Sequence, residues 1–197
     1  MNKRKVVKIS STVLLIVVLL YVLKQEITDI IENKVIENTL GITDNKIINH
    51  EIKRLNIIIF LNPKEYRYYV KRADLNCQIK KYNNAINDLN KTHDLAENYA
   101  ESYTFQGMIY DWIGKTDSAM IYYKISQKIY KQKLDKETDK VSRRDLMENV
   151  IYLQILQNDS LSSNIKDSLN NTIKDDDLAL RIIGKSKNQI FIEKFEK

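Results

Sequence analysis

Few side chains in this sequence could do chemistry, and they are scattered. Cys77 is the single thiol. A cysteine nucleophile needs a neighbouring base to activate it; no histidine lies close to Cys77 in sequence, and it reads as a small half-buried helix residue. His50 and His93, joined by a carboxylate, would have the ligand types of a zinc site, but nothing in the pattern brings them to one point. Asp175, Asp176 and Asp177 resemble a cation cluster; carboxylates gathered at the positive end of a helix explain them more simply. There is no Gly-rich phosphate loop, no nucleophile elbow and no H-E-x-x-H. No catalytic residue, metal ligand or cofactor site is expected. Ten of the twelve tyrosines fall between residues 66 and 130, among lysines, as a surface for stacking single-stranded nucleic acid would require. The charge argues against that partner. Of the formal +6, four charges belong to Lys3, Arg4, Lys5 and Lys8, so the remainder offers no electrostatic funnel. The tyrosines are expected to pack a core.

The elements that must position these residues are helical. One Pro and four Gly in 197 residues starve any turn-rich β architecture. One cysteine cannot close an intramolecular disulfide. After the basic tail (1–8), Ile9 to Leu23 carries no charge across fifteen positions. This is the pattern of an uncleaved signal anchor over 9–24, because no small-residue cleavage site follows the apolar run. The positive-inside rule places the N-terminus in the cytoplasm and the rest across the membrane. Residues 25–197 are expected to form one helical domain.

Within it the sequence repeats. Tyr66–Tyr99 and Ala100–Lys133 align at an offset of 34 residues: Tyr69 with Tyr103, Ala73 with Gly107, Ala85 with Ala119, Leu89 with Tyr123, Thr92 with Ser126. Small residues at 73, 85, 107 and 119 mark close helix approach, and the large ones fill the adjoining volume. Turns fall at Lys80-Lys81-Tyr82 and Gly114-Lys115-Thr116. The period, with Tyr82-Asn-Asn-Ala-Ile-Asn-Asp-Leu-Asn, Gly107-Met-Ile-Tyr110 and Ala119-Met-Ile-Tyr-Tyr123, resembles the tetratricopeptide repeat across about 70 residues. Asn76 departs from it, standing where the family has an aromatic residue. A degenerate unit precedes, with helices at 26–40 and 46–61, the second closed by Pro63 and striped by Ile48, Ile52, Leu55 and Ile59. Atypical capping helices follow over 142–197, with Leu146, Val150, Leu153 and Leu156 buried in the first of them. A further helix is expected through Leu161, Ile165, Leu169 and Ile173. A last one, through Leu178, Ile182, Ile190, Phe191 and Phe195, carries Gly184 as an interruption. The expected fold is an all-α, short solenoid of three to four such units behind an N-terminal transmembrane helix.

The resemblance implies protein binding on the concave face that each unit's first helix lines. Carried over position by position, the groove is Arg67, Val70, Asp74 and Cys77 in one unit, and Glu101, Thr104, Met108 and Asp111 in the next, with Trp112 at the edge. Family members that grip a peptide carboxylate use Lys and Asn where Val70 and Asp74 stand here. A basic or apolar segment of a partner is therefore the expected ligand, with Arg67, Met108 and Trp112 as anchors. The expected role is a scaffold without enzyme activity, single-pass in a bacterial cytoplasmic membrane, presenting this groove outside the cytoplasm. Two alternatives stand beside it: an enzyme or ligand-binding accessory using the C-terminal helices, and a soluble secreted form after signal cleavage.

Overall fold

The computed structural model describes residues 11–38, 44–158 and 185–196. All regular structure among them is helical: α1 (Ser11–Asn38), α2 (Asn45–Leu61), α3 (Tyr66–Gln78), α4 (Tyr82–Leu95), α5 (Ala100–Trp112), α6 (Thr116–Leu134), α7 (Lys140–Asn158) and α8 (Lys187–Phe195). The chain divides into two compact units, 1–64 and 65–197. The sequence pattern had marked no boundary there, although Pro63 lies beside it and stops α2 by lacking a donor for another helical turn.

In the first unit α1 pairs with α2, and the Asn62 side-chain amide donates to Thr28 Oγ1 at 3.1 Å. The stripe expected on α2 is seen, with Ile48, Leu55, Ile58 and Ile59 buried. Glu51 is buried too, its carboxylate accepting from Arg54 one turn on. The helix expected at 26–40 is the second half of α1, which continues without a break from the apolar N-terminal run.

The expected transmembrane helix is not seen. Among the described residues no helix is long and apolar enough to cross a membrane. The uncharged part of α1 ends at Leu23, before Lys24, Gln25 and Glu26. From Ser11 it spans about 20 Å at 1.5 Å per residue, against a hydrocarbon layer of about 30 Å. The basic tail and the start of the uncharged run lie outside the described residues. What the structure does show is an uncovered apolar surface: the described side chains from Val13 to Leu23 are each 43–63% exposed.

The second unit holds the two repeats as helical hairpins, α3 with α4 and α5 with α6, and α7 packs on α6. This is a tetratricopeptide-like arrangement, and the repeat positions explain it. Ala73, Ala85 and Ala119 are fully buried. Both hairpins turn through a left-handed residue, Gly114 at φ 78° and its repeat equivalent Lys80 at φ 58°. At position 107 a side chain would force its neighbour to move: a Cβ there would lie 2.5 Å from the Tyr123 ring. Where the first repeat pairs Ala73 with Leu89, the second pairs glycine with tyrosine, so one partner shrinks as the other grows.

Polar and aromatic packing also exchange between the repeats. Asn76 is buried and donates to Asp88, which also receives Arg72 Nε at 2.9 Å. The equivalents of Arg72, Asn76 and Asp88 are Gln106, Tyr110 and Tyr122, and here the two tyrosines stack with centroids 5.4 Å apart. Tyr122 also neighbours His93, which lies flat on Tyr103 at 3.7 Å between centroids.

The period ends with α6, which runs 19 residues where α4 runs 14. α7 begins at Lys140, with the Asp139 carboxylate accepting the Ser142 amide at 2.9 Å, slightly ahead of the start expected at Ser142. Its buried face is Ile151, Leu153, Ile155 and Leu156, while Leu146 and Val150 are partly covered. The helix expected through Leu161 to Ile173, the Asp175–Asp177 cluster, and Leu178 and Ile182 of the last helix lie outside the described residues. Helical structure is described again after Gly184, where Ser186 and Gln189 close a capping box at the start of α8.

Candidate functional site

The face lined by α3 and α5 is where the sequence placed the groove, and α8 lies against it. α8 reads Lys187-Asn-Gln-Ile-Phe-Ile-Glu-Lys-Phe195. Lys187, Ile190, Phe191, Lys194 and Phe195 recur at i, i+3, i+4, i+7 and i+8, which places them on one side of a helix. Ile190, Phe191 and Phe195 are buried, while Asn188, Gln189, Ile192 and Glu193 are exposed.

Two ion pairs fasten this stripe. Lys194 Nζ sits 2.6 Å from Asp74 Oδ1 on α3. Lys187 Nζ sits 2.6 Å from Asp111 Oδ2 on α5, with side-chain exposures of only 17% and 8%. That second pair is largely removed from water, so its attraction is weakly screened and its geometry matters more than that of a surface pair. Asp111 is held for the task by Tyr123, whose hydroxyl donates to the same Oδ2 at 3.2 Å.

Between the pairs lies an aromatic cluster. Trp112 stacks on Phe195 with centroids 5.1 Å apart and meets Phe191 edge-on at 6.2 Å. Its indole Nε1–H donates to Tyr82 Oη at 3.0 Å, and Tyr82 in turn meets Phe195 edge-on. Lys194 Nζ lies 4.4 Å from the centroid of the Phe105 ring, a cation–π contact beside its ion pair.

The nine expected groove residues therefore divide. Asp74, Asp111 and Trp112 meet α8. Cys77, Thr104 and Met108 are buried in the helix packing. Thr104 shares a 2.7 Å hydrogen bond with Ser126, and Met108 Sδ accepts from the Tyr152 hydroxyl on α7 at 3.7 Å. Burial pushes the Cys77 thiol up to about 12, with Asp74 adding to the rise and Lys194 opposing it. Such a thiol is inert near neutral pH, in keeping with a packing role. Arg67, Val70, Asp74 and Glu101 line an open cavity of about 420 Å³ with Phe105 and Lys194. Arg67 is not a disengaged anchor: its guanidinium donates to both Glu65 oxygens, at 2.8 and 3.2 Å, and holds that carboxyl below its ordinary range.

Of the chemistry-bearing residues outside this face, His50 is exposed on α2 and His93 is half-buried in its tyrosine stack. Among the described residues no group of three His, Cys, Asp or Glu is placed to hold a metal ion. The expected aromatic core is present, with Tyr68, Tyr69, Tyr123 and Tyr130 buried. Burial raises the Tyr123 and Tyr130 phenols far above their ordinary value, and the neighbouring Asp111 and Glu101 carboxylates add to it.

No family model and no curated protein matches the chain. Among solved structures it is similar to the crystal structure of MamA, with a TM-score of 0.43 and 19% identity over 76% of this chain and 70% of that one. What the site can do is read from its own geometry. Sequence reasoning missed Lys187, Lys194 and Phe105 as members of this site, and it took Phe191 and Phe195 only as a generic apolar side. The signal was present: the i, i+3, i+4, i+7, i+8 stripe of α8 alternates bases with large apolar groups.

Proposed function

We propose that this protein is an interaction scaffold whose α3–α5 face binds a helical segment of a protein partner. The observation that carries the reading is the seating of α8. A face on which a helix is held by two lysine–carboxylate pairs around a Trp–Phe stack has the form of a helix-binding groove. Shape and charge together favour basic, aromatic segments, a narrower class than the basic or apolar segment expected from Asp74 and Asp111. The groove residues would select and hold a partner and perform no reaction on it.

The scaffold is further proposed to sit at a membrane through its first 24 residues, with the N-terminus cytoplasmic and the repeats outside the cytoplasm of a bacterium. The basic tail, the uncharged run that follows it, and the exposed apolar side chains of α1 support this reading. Carbonate extraction and a C-terminal topology reporter test the attachment and its orientation; extraction with the soluble fraction would remove it.

For the groove, photo-crosslinkers placed at Val70 and at Glu101 should capture the same partner. One placed at Ile125, exposed on α6, should not. Equal capture from all three positions would refute the assignment of this face.

A further inference from the structure

We infer that α8 is a built-in stand-in for the partner: the groove's ligand is a basic, aromatic amphipathic helix with the spacing of α8, and it binds by displacing α8. This rests on the groove reading above and adds to it the chemistry of the partner and the competition within the chain.

The stripe itself defines the ligand. Lys187 and Lys194 stand seven residues apart, two helical turns or about 10 Å. They meet Asp111 and Asp74, one carboxylate from each of the two repeats. The intervening Phe191, and Phe195 one position beyond the second lysine, pack on Trp112, with Ile190 buried in the same core cluster. A partner helix needs the same order: a base, two large apolar groups three and four residues on, then a base and an aromatic residue. Acidic segments would place like charges on Asp74 and Asp111 and be rejected.

Displacement is expected from the way α8 is held. It is nine residues long, below the length at which an isolated helix is stable in water, so its order comes from the capping box and the groove. The Lys185–Glu193 ion pair lies on the exposed side and contributes little to docking. The cavity of about 420 Å³ beside Lys194 lies open next to α8. A partner helix that continued past the position of Phe195 is expected to reach it and add contacts with Val70 and Glu101. A segment of the same chain competes intramolecularly, and a ligand's apparent affinity falls with the fraction of grooves left open.

The test uses the full chain and a fluorescent peptide of residues 185–197, read by anisotropy. The wild-type chain should bind the peptide weakly. The K187E/K194E chain, whose own α8 is repelled while its groove is intact, should bind it at least tenfold more tightly. Adding D74K/D111K to that chain, or carrying K187E/K194E in the peptide instead, should abolish binding. Equal binding by the wild-type and K187E/K194E chains would overturn displacement. Tight binding that ignored the charge reversals would overturn the partner chemistry while sparing the groove. No binding to any chain, with α8 shown released by hydrogen exchange, would overturn the groove reading itself. A wild-type dimer that dissociates in K187E/K194E would assign the groove to a second copy and refute the heterologous partner. Should the glutamate pair fail to fold, K187Q/K194Q replaces it with the same expected direction. Loss of helical signal in both would make α8 a core helix and end the proposal.

Discussion

The exchange of Ala73–Leu89 for Gly107–Tyr123 gives a quantitative test of how the repeats are built. In Gly107→Ala the new Cβ would lie 2.5 Å from Tyr123 Cε1, 2.6 Å from Cδ1 and 3.2 Å from the Ala119 carbonyl oxygen. Ordinary carbon contacts lie at about 3.5–4.0 Å, so the ring must retreat by about 1 Å. It has little room to do so, being 1% exposed and tied by its hydroxyl to Asp111. Overpacking of this kind destabilises by about 1–3 kcal/mol, and replacing glycine by alanine inside a helix returns about 1 kcal/mol. The net expectation is a loss of up to about 2 kcal/mol, or a fall in melting temperature of up to about 8 °C. Tyr123→Leu alone leaves a cavity and loses a buried hydroxyl contact, for about 2–3 kcal/mol. In that background the clash is gone, so Gly107→Ala should stabilise the protein, by up to about 1 kcal/mol. The double variant recreates the Ala–Leu pair of the first repeat, and the change of sign appears as a coupling of about 1–3 kcal/mol. Urea unfolding followed by circular dichroism and by the fluorescence of Trp112, the single tryptophan, measures all four corners. A Gly107→Ala change that is stabilising with Tyr123 in place, or that has the same effect in both backgrounds, would refute the close-approach argument.

Three further outcomes are expected. Asp88→Ala removes the acceptor of Arg72 and of buried Asn76 and should destabilise by about 2–4 kcal/mol, whereas Asp94→Ala on the exposed side of α4 should change the urea midpoint little. Cys77, with its thiol raised to about 12 by burial, should resist alkylation at pH 8 in the native chain and react on unfolding in urea; rapid native labelling would contradict its placement. Burial lowers His93 below its ordinary value of 6.5, and its Nε2 has no hydrogen-bond partner among the described residues. The folded state thus binds this proton less readily than the unfolded chain. The stability this contributes is complete above about pH 6.5 and is lost as pH falls through and below that value. His93→Phe keeps the stack on Tyr103 without titrating, so its melting temperature should fall less between pH 7 and pH 5. An identical fall in both proteins would remove His93 as the cause.

Much of the second unit was legible in the sequence because close helix approach demands small residues at fixed intervals. The pairs Ala73/Gly107 and Ala85/Ala119 gave the hairpins, their spacing and their turns. The groove was less legible. A repeat pattern identifies which positions face the groove but says nothing about neighbours distant in sequence. Cys77, Thr104 and Met108 occupy groove positions, yet they are closed off by packing that local spacing cannot report. Asp74 and Asp111 pointed to a basic or apolar partner segment; the segment that meets them in this structure belongs to the same chain, 120 residues away in the case of Lys194 and Asp74. The N-terminal run was the converse case. Its purity suggested a span, while span length depends on where charge begins, and Lys24 and Glu26 arrive early. Lys80 shows a smaller lesson: a left-handed turn can be imposed on a non-glycine residue when the hairpin on either side requires it.

The central claim is that a basic aromatic helix is recognised on the α3–α5 face around Trp112. The indole N–H of Trp112 gives one isolated proton resonance, and its environment is set by Tyr82, Phe191 and Phe195. In the full K187E/K194E chain this signal should leave its wild-type position as α8 detaches. Addition of the 185–197 peptide should return it to that position. A peptide that binds this chain while the Trp112 resonance stays unmoved would contradict the account.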